Sequence, residues 1–144
     1  MEHVGSTSVE GLAAKPIIDA DIVIDDMGVL DEIRHRLEEA GYEYLGERGI
    51  SERFAFRCKQ PEFAHNLYVC VDGCLALRNH LSFRDHLRSH ADDRRRYGEL
   101  KRSLARRYPD DIDAYVRGKT AFITDILRNY GVGEEQLDII EGQN

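Results

Sequence analysis

The sequence predicts an α+β fold, in which a β-sheet is covered by helices and the C-terminal half of the chain is helical. Three observations support this prediction. Short apolar runs separated by turn residues fill the first half of the chain, and apolar residues at helical spacing fill the second half from Leu75 onward. With 144 residues, of which 42% are hydrophobic and 33% charged, the chain is long enough to bury a core.

The first half is predicted to hold five strands and one helix. Strands are predicted at residues 2–4, 17–24, 42–45, 53–58 and 65–71. A helix is predicted over residues 28–40, because Leu30, Ile33 and Leu37 recur at helical spacing. Asp25 or Asp26 can cap its start, and Gly41 can end it.

The second half is predicted to be helical throughout. We expect a broken helical segment over residues 75–90, a helix over 91–107, a break at residues 108–110 and a helix over 112–130. With no internal repeat or linker, residues 1–133 are predicted to form one domain, followed by a tail at residues 134–144.

Charge and composition narrow the classes of partner. The net charge is −7, although residues 84–107 carry nine Lys or Arg against four acidic residues. Tyr97, Leu100, Leu104 and Tyr108 form an apolar stripe there, which favours the exposed face of a packed helix over a nucleic-acid interface. No run of about 20 apolar residues and no signal-like N-terminus is present, so we expect a cytoplasmic protein with no membrane partner. The three cysteines are expected to be reduced thiols.

The opening of the chain carries the strongest chemical pattern. Gly5 permits close backbone approach, and Ser6, Thr7 and Ser8 offer donors to phosphate oxygens. In the following strand the carboxylates of Asp19 and Asp21 share one face, roughly 6–7 Å apart. Because like charges on one face repel, a divalent cation such as Mg²⁺ or Mn²⁺ is predicted between them.

The string GSTSVEGLAAKPIID resembles the signature of the GrpB family (UPF0157), which is placed in the nucleotidyltransferase-fold superfamily. Later pieces are similar to that family in the same order, namely HNLYV, SFRDHLR and segments of the last two predicted helices. The resemblance implies a nucleotidyltransferase-like mixed β-sheet covered by helices. It also implies metal-dependent transfer of a nucleotidyl group from a nucleoside triphosphate to an unidentified acceptor. A non-catalytic module that binds a nucleotide or coenzyme A, or assists a partner, remains the alternative.

Two departures from the family pattern bear on this expectation. Family members usually begin with a further helical segment, whereas this chain starts just before His3; an uncovered sheet flank would favour a homo-oligomer. A third carboxylate usually stands on a later strand, and here the corresponding strand begins with His65 and Asn66 and is followed by Asp72. By alternation only one of His65 and Asp72 can face the aspartates, and His65 is the predicted catalytic partner.

Five further cations are candidate ligands for phosphate, and all but the first also have a plainer interpretation. Lys15, held extended before Pro16, is predicted to reach the carboxylates or a phosphate. Arg53 and Arg57 share a strand face as a fork or as solvated side chains. Arg84 recurs in the family's FRDxLR string, although an ion pair within its helix would also explain it. Lys119 interrupts an apolar stripe and extends either to water or into the carboxylate cleft.

Overall fold

The computed structural model describes residues 1–133, which form a five-stranded sheet and four α-helices. The strands are β1 (Glu2–Val4), β2 (Ile18–Ile24), β3 (Tyr42–Gly46), β4 (Arg53–Cys58) and β5 (His65–Val71). The helices are α1 (Leu30–Glu39), α2 (Leu75–Ser89), α3 (Ala91–Arg107) and α4 (Ile112–Arg128). The predicted α+β class with a helical C-terminal half is confirmed, and the predicted tail at 134–144 lies outside the described residues.

The sheet is mixed, with strand order β1-β2-β5-β4-β3. Only the central pair, β2 and β5, is parallel, and the other neighbouring strands run antiparallel. The β2–β5 register pairs Ile18 with His65, Asp19 with Asn66 and Asp21 with Tyr68. Directly paired residues point to the same side of a sheet, so this register decides which side chains surround the aspartates.

The described chain divides into two compact units. The first contains Met1–Ser8 and Ala14–Leu81, and therefore holds the whole sheet. The second contains Val9–Ala13 and the described residues from Ser82 onward, and holds α3 and α4. The prediction of a single domain over residues 1–133 stays a prediction.

The core of the first unit lies on the sheet face opposite the aspartates. Phe54, Phe56 and Val69 are buried there, as the alternation along the strands predicts, and Leu30 of α1 packs against them. A short 3₁₀ turn at Met27–Val29 precedes α1, and the Asp26 side chain accepts a hydrogen bond from the amide of Gly28. This turn shortens the predicted helix by two residues at its start.

Helix α2 is continuous from Leu75 to Ser89, so the prediction of a broken segment is wrong. Leu77 is buried in the core of the first unit and Leu87 in that of the second, so apolar contacts hold both ends of the helix. The cysteines near its start are free thiols, as predicted. A hydrogen bond from the Cys70 thiol lowers the pKa of Cys74, the residue before α2, to about 6.

The core of the second unit is built around Tyr97 of α3. Its ring stacks on Phe122 of α4 with centroids 5.1 Å apart and meets Phe83 edge-on at 5.2 Å. Burial raises the pKa of the Tyr97 phenol. Leu104 is also buried, so the apolar stripe predicted for α3 faces a core. On the other side of the helix, Arg95 and Arg96 pair with acidic residues one turn earlier.

Two glycines in this unit give a matched prediction for stability. A Cβ on Gly118 would lie 2.5 Å from Leu104 Cδ2, whereas a Cβ on Gly98 would meet its nearest atom, Leu12 Cδ1, at 3.6 Å. We expect Gly118→Ala to lower the free energy of unfolding by about 1–2 kcal/mol, because overpacking outweighs the gain in helix propensity. Gly98→Ala should instead raise it by about 0.5–1 kcal/mol. Urea denaturation of both variants measures this, and equal shifts would contradict it.

Among the described residues, no helix combines the length and the apolar character that crossing a membrane requires.

Candidate functional site

The opening motif forms a tight turn between β1 and the rest of the first unit. Gly5 adopts a φ of +73°, which favours glycine, and the chain then makes a 3₁₀ turn over Ser6–Ser8. The buried Ser8 hydroxyl donates to the carbonyl of Gly5 at 2.6 Å, so this hydroxyl stabilises the turn itself. Thr7 Oγ1 lies 2.8 Å from His3 Nε2, which ties the turn to β1.

The Gly5 backbone lies directly against the Asp19 carboxylate. A Cβ atom built on Gly5 would stand 2.2 Å from Asp19 Oδ2, which is too close for a carbon and an oxygen that are not bonded. The other oxygen, Oδ1, accepts a hydrogen bond of 2.8 Å from Asn66 Nδ2 on β5. Asp19 is thus held between the glycine turn and the neighbouring parallel strand.

Asp21 is fully buried and is paired with a histidine that the sequence did not indicate. Its Oδ2 lies 2.7 Å from Nδ1 of His80, on the first half of α2. Its Oδ1 is buried and has no hydrogen-bond partner among the described residues. A buried carboxylate oxygen without a donor is costly, so this atom marks a place suited to a cation or another donor.

The expectation that His65 faces the two aspartates is wrong. In the parallel pairing His65 lies opposite Ile18, so both point to the other side of the sheet, and Asn66 takes the place beside Asp19. His65 is bonded locally, with Nε2 at 2.8 Å from the Tyr42 hydroxyl and Nδ1 at 2.9 Å from the carbonyl of Phe63. Alternation within one strand was read correctly, but its register with β2 was not visible in the sequence.

Arg53 and Arg57 lie on the aspartate face of the sheet. Ala55, midway between them on β4, points to the same face and is paired with Tyr68, which is itself paired with the second aspartate. The guanidinium of Arg53 lies 4.3 Å from the centroid of the Tyr68 ring, and its Nε is buried without a partner among the described residues. Burial raises the pKa of Tyr68, and the Arg53 charge opposes that rise. Arg57 forms an exposed ion pair with Glu43 on β3.

The remaining predicted cations are placed as follows. Lys15 is exposed in the turn before β2, where its carbonyl accepts from the amide of Ile17. Arg84 and Lys119 belong to the second unit. Arg84 pairs through Nε with Asp85 at 2.9 Å, and Lys119 Nζ lies 5.0 Å from the ring centroid of Tyr115. Their predicted roles at the phosphates stay predictions.

Sequence reasoning missed Asn66 and His80 as partners of the aspartates. Asn66 could have been identified from strand alternation, because it follows His65 on the same strand and therefore points to the opposite face. His80 gave no comparable signal, because it stands in a helix 59 residues from Asp21. Only the packing of α2 on the sheet brings it into contact.

The side chains present fit Mg²⁺ in the form in which nucleotides carry it. Mg²⁺ is commonly held by one or two carboxylates together with substrate phosphates and water. Asp19 and the unpartnered Oδ1 of Asp21 are oxygen donors of this kind. Within residues 1–133, no group of three or more His, Cys, Asp or Glu side chains is arranged to hold a metal ion.

Comparison with known proteins establishes the family. The family model described as GrpB protein matches residues 1–129. The chain belongs to the GrpB family. It is 42% identical over 129 residues to a UPF0157 protein of Pseudomonas aeruginosa and 36% identical over 129 residues to a UPF0157 protein of Bacillus subtilis. The matches cover 88% and 90% of this chain but only 53% and 38% of those relatives, so the chain spans about half or less of their length.

Two other matches add to this family assignment. The crystal structure of the conserved protein GrpB from Enterococcus faecalis matches with a TM-score of 0.74 at 36% identity, covering 90% of this chain and 80% of that one. A protein named dephospho-CoA kinase, from Mycolicibacterium paratuberculosis, is 29% identical over 153 residues, which covers 89% of this chain and 38% of that protein.

Proposed function

We propose that this GrpB chain binds a nucleoside triphosphate with Mg²⁺ at the turn of residues 5–8 and the Asp19–Asp21 pair, and supports nucleotidyl transfer. The observation that carries the proposal is the contact between the Gly5 backbone and the Asp19 carboxylate. Phosphates held by this turn would lie beside two carboxylates. Because adjacent phosphates and carboxylates repel one another, a cation is required between them, and Mg²⁺ provides it.

Each residue of the site has a defined task in this proposal. The amides and hydroxyls of Ser6 and Thr7 bind the β- and γ-phosphates, and Lys15 and Arg53 offset their charge. Asn66 orients Asp19 through its hydrogen bond, and His80 orients Asp21. When bound, Mg²⁺ supplies positive charge that offsets the negative charge developing at the transferring phosphate. The protein otherwise contributes position and charge.

A non-catalytic binding module is the second candidate, and the aspartate face of β5 favours it. On that face Asn66 and Tyr68 lie beside the two aspartates. A third carboxylate at one of these positions would support nucleotidyl transfer, and neither residue provides one. The relative named dephospho-CoA kinase points to coenzyme A or its nucleotide portion as a ligand for such a module. Both candidates use the same turn and the same carboxylates.

Calorimetric titration with ATP, in MgCl₂ and in EDTA, tests the shared site. We expect binding that depends on Mg²⁺ and that Asp19→Asn weakens by at least about tenfold, because one of the two anionic ligands of the cation becomes neutral. Asp31→Asn, an exposed carboxylate on α1, is the matched control and should bind as the parent does. ATP binding of equal strength in EDTA would contradict the metal role.

A second measurement separates the two candidates. Pyrophosphate release from ATP, CTP, GTP or UTP in the presence of a mixture of hydroxyl acceptors supports transfer. Mg²⁺-dependent binding of ATP or coenzyme A with no pyrophosphate release supports the binding module. If neither the four nucleotides nor coenzyme A binds to the protein, both candidate functions are overturned.

A further inference from the structure

A second cluster of reactive side chains lies in the second unit and shares no residue with the proposed nucleotide site. It joins His86 of α2, Asp93 of α3 and Tyr130, which follows α4. His86 Nδ1 lies 2.6 Å from the Tyr130 hydroxyl, and His86 Nε2 lies 2.7 Å from Asp93 Oδ2. A hydroxyl, an imidazole and a carboxylate are thus connected in series.

The hydrogen bonds determine the tautomer of the neutral His86 ring. Since a carboxylate only accepts hydrogen bonds, the proton of the imidazole must lie on Nε2, facing Asp93. Nδ1 then carries the lone pair and accepts a hydrogen bond from the Tyr130 hydroxyl. This is the arrangement in which a base, oriented by an acid, withdraws a proton from a nucleophile.

The surroundings of His86 keep this arrangement in place. The ring of His90 stacks on His86 with centroids 3.9 Å apart and planes within 10°. His86 itself is buried, whereas Tyr130 is 42% exposed. Arg96 donates from Nη1 to the second oxygen of Asp93 at 3.3 Å and places a positive charge beside the cluster. The base is therefore shielded, while Tyr130 is partly exposed to solvent.

We propose that Tyr130 is a covalent modification site, whose hydroxyl attacks electrophilic phosphorus with His86 as general base and Asp93 as the orienting group. The substrates are phosphoryl donors with a good leaving group, whose anionic forms the Arg96 charge attracts. In the step, a bond forms between Tyr130 Oη and phosphorus, the bond from phosphorus to the leaving group breaks, and the phenol proton passes to His86 Nδ1. The proposal does not depend on the nucleotide site.

An alkyl fluorophosphonate probe tests the reactivity, with fluoride as the leaving group and peptide mass spectrometry as the measurement. Tyr108 is the internal control, because its hydroxyl accepts from the Arg107 guanidinium at 3.2 Å and no histidine within residues 1–133 bonds to it. We expect Tyr130 to react about 10²-fold faster than Tyr108 in the parent protein. His86→Gln should remove this advantage, and Asp93→Asn should reduce it by at least about tenfold.

Three results would overturn the proposal. Reaction of Tyr130 at the rate of Tyr108 would make the cluster a structural clamp on the end of α4, and reaction at His86 itself would move the nucleophile. An unchanged rate in Asp93→Asn would remove the orienting role. If His86→Gln fails to fold, the rates of Tyr130 and Tyr108 in the parent protein and in Asp93→Asn still decide the question.

Discussion

Replacing Gly5 by alanine is expected to destabilise the first unit and to abolish the proposed nucleotide binding at the opening turn. The added Cβ meets two penalties, since a φ of +73° is unfavourable for alanine and the methyl group would stand 2.2 Å from Asp19 Oδ2. The conformational penalty alone is about 1–2 kcal/mol, and displacement of the carboxylate brings the expected loss in free energy of unfolding to about 2–4 kcal/mol. Urea denaturation measures it.

Gly73→Ala separates the two penalties. Gly73 has a φ of +76°, but a Cβ there has no atom within 4 Å. It should therefore carry the conformational penalty of about 1–2 kcal/mol without the clash. Equal losses in the two variants would show that the Asp19 carboxylate can move away from Gly5 at no cost, and would weaken the argument that the turn and the carboxylate form one site.

Replacing Asp21 by asparagine is expected to give the second large effect. The variant loses the negative charge of the carboxylate that accepts a hydrogen bond from His80. It also buries an amide group where Oδ1 of the carboxylate has no hydrogen-bond partner among the described residues. We expect the free energy of unfolding to fall by about 2–4 kcal/mol, because the bond from His80 loses its charged acceptor and the new amide NH₂ group is buried without an acceptor. Asp19→Asn should lose about 1 kcal/mol or less, since Asn66 can still donate to the amide oxygen.

Thermal melts with MgCl₂ and ATP complete this test. If the two carboxylates mainly repel one another, as an apo metal site requires, Asp21→Asn will be neutral or stabilising without Mg²⁺. That result would contradict the buried pair with His80. A large loss in Asp21→Asn, with no shift of the parent melting temperature by Mg²⁺ and ATP, would remove the metal from the proposed function.

The local pattern of the first unit was readable from the sequence because a strand imposes a period of two. Asp19 and Asp21 were assigned to one face of their strand, and Arg53 and Arg57 to one face of theirs, from alternation alone. The start of α1 was less accurate, since the turn capped by Asp26 takes the first residues of the predicted helix. Breaks inside a helix were also misjudged, because apolar contacts at both ends of α2 outweigh local propensity.

The sequence by itself determined the family, the α+β class and the pairing of a glycine turn with two aspartates, because each depends on local spacing and residue type. Only the tertiary structure decided which side chains meet those aspartates. The register of β2 with β5 put Asn66 beside Asp19 and turned His65 away, and the docking of α2 brought His80 to Asp21. Register and docking arise from contacts between residues far apart in the chain, and a one-residue shift would exchange the faces.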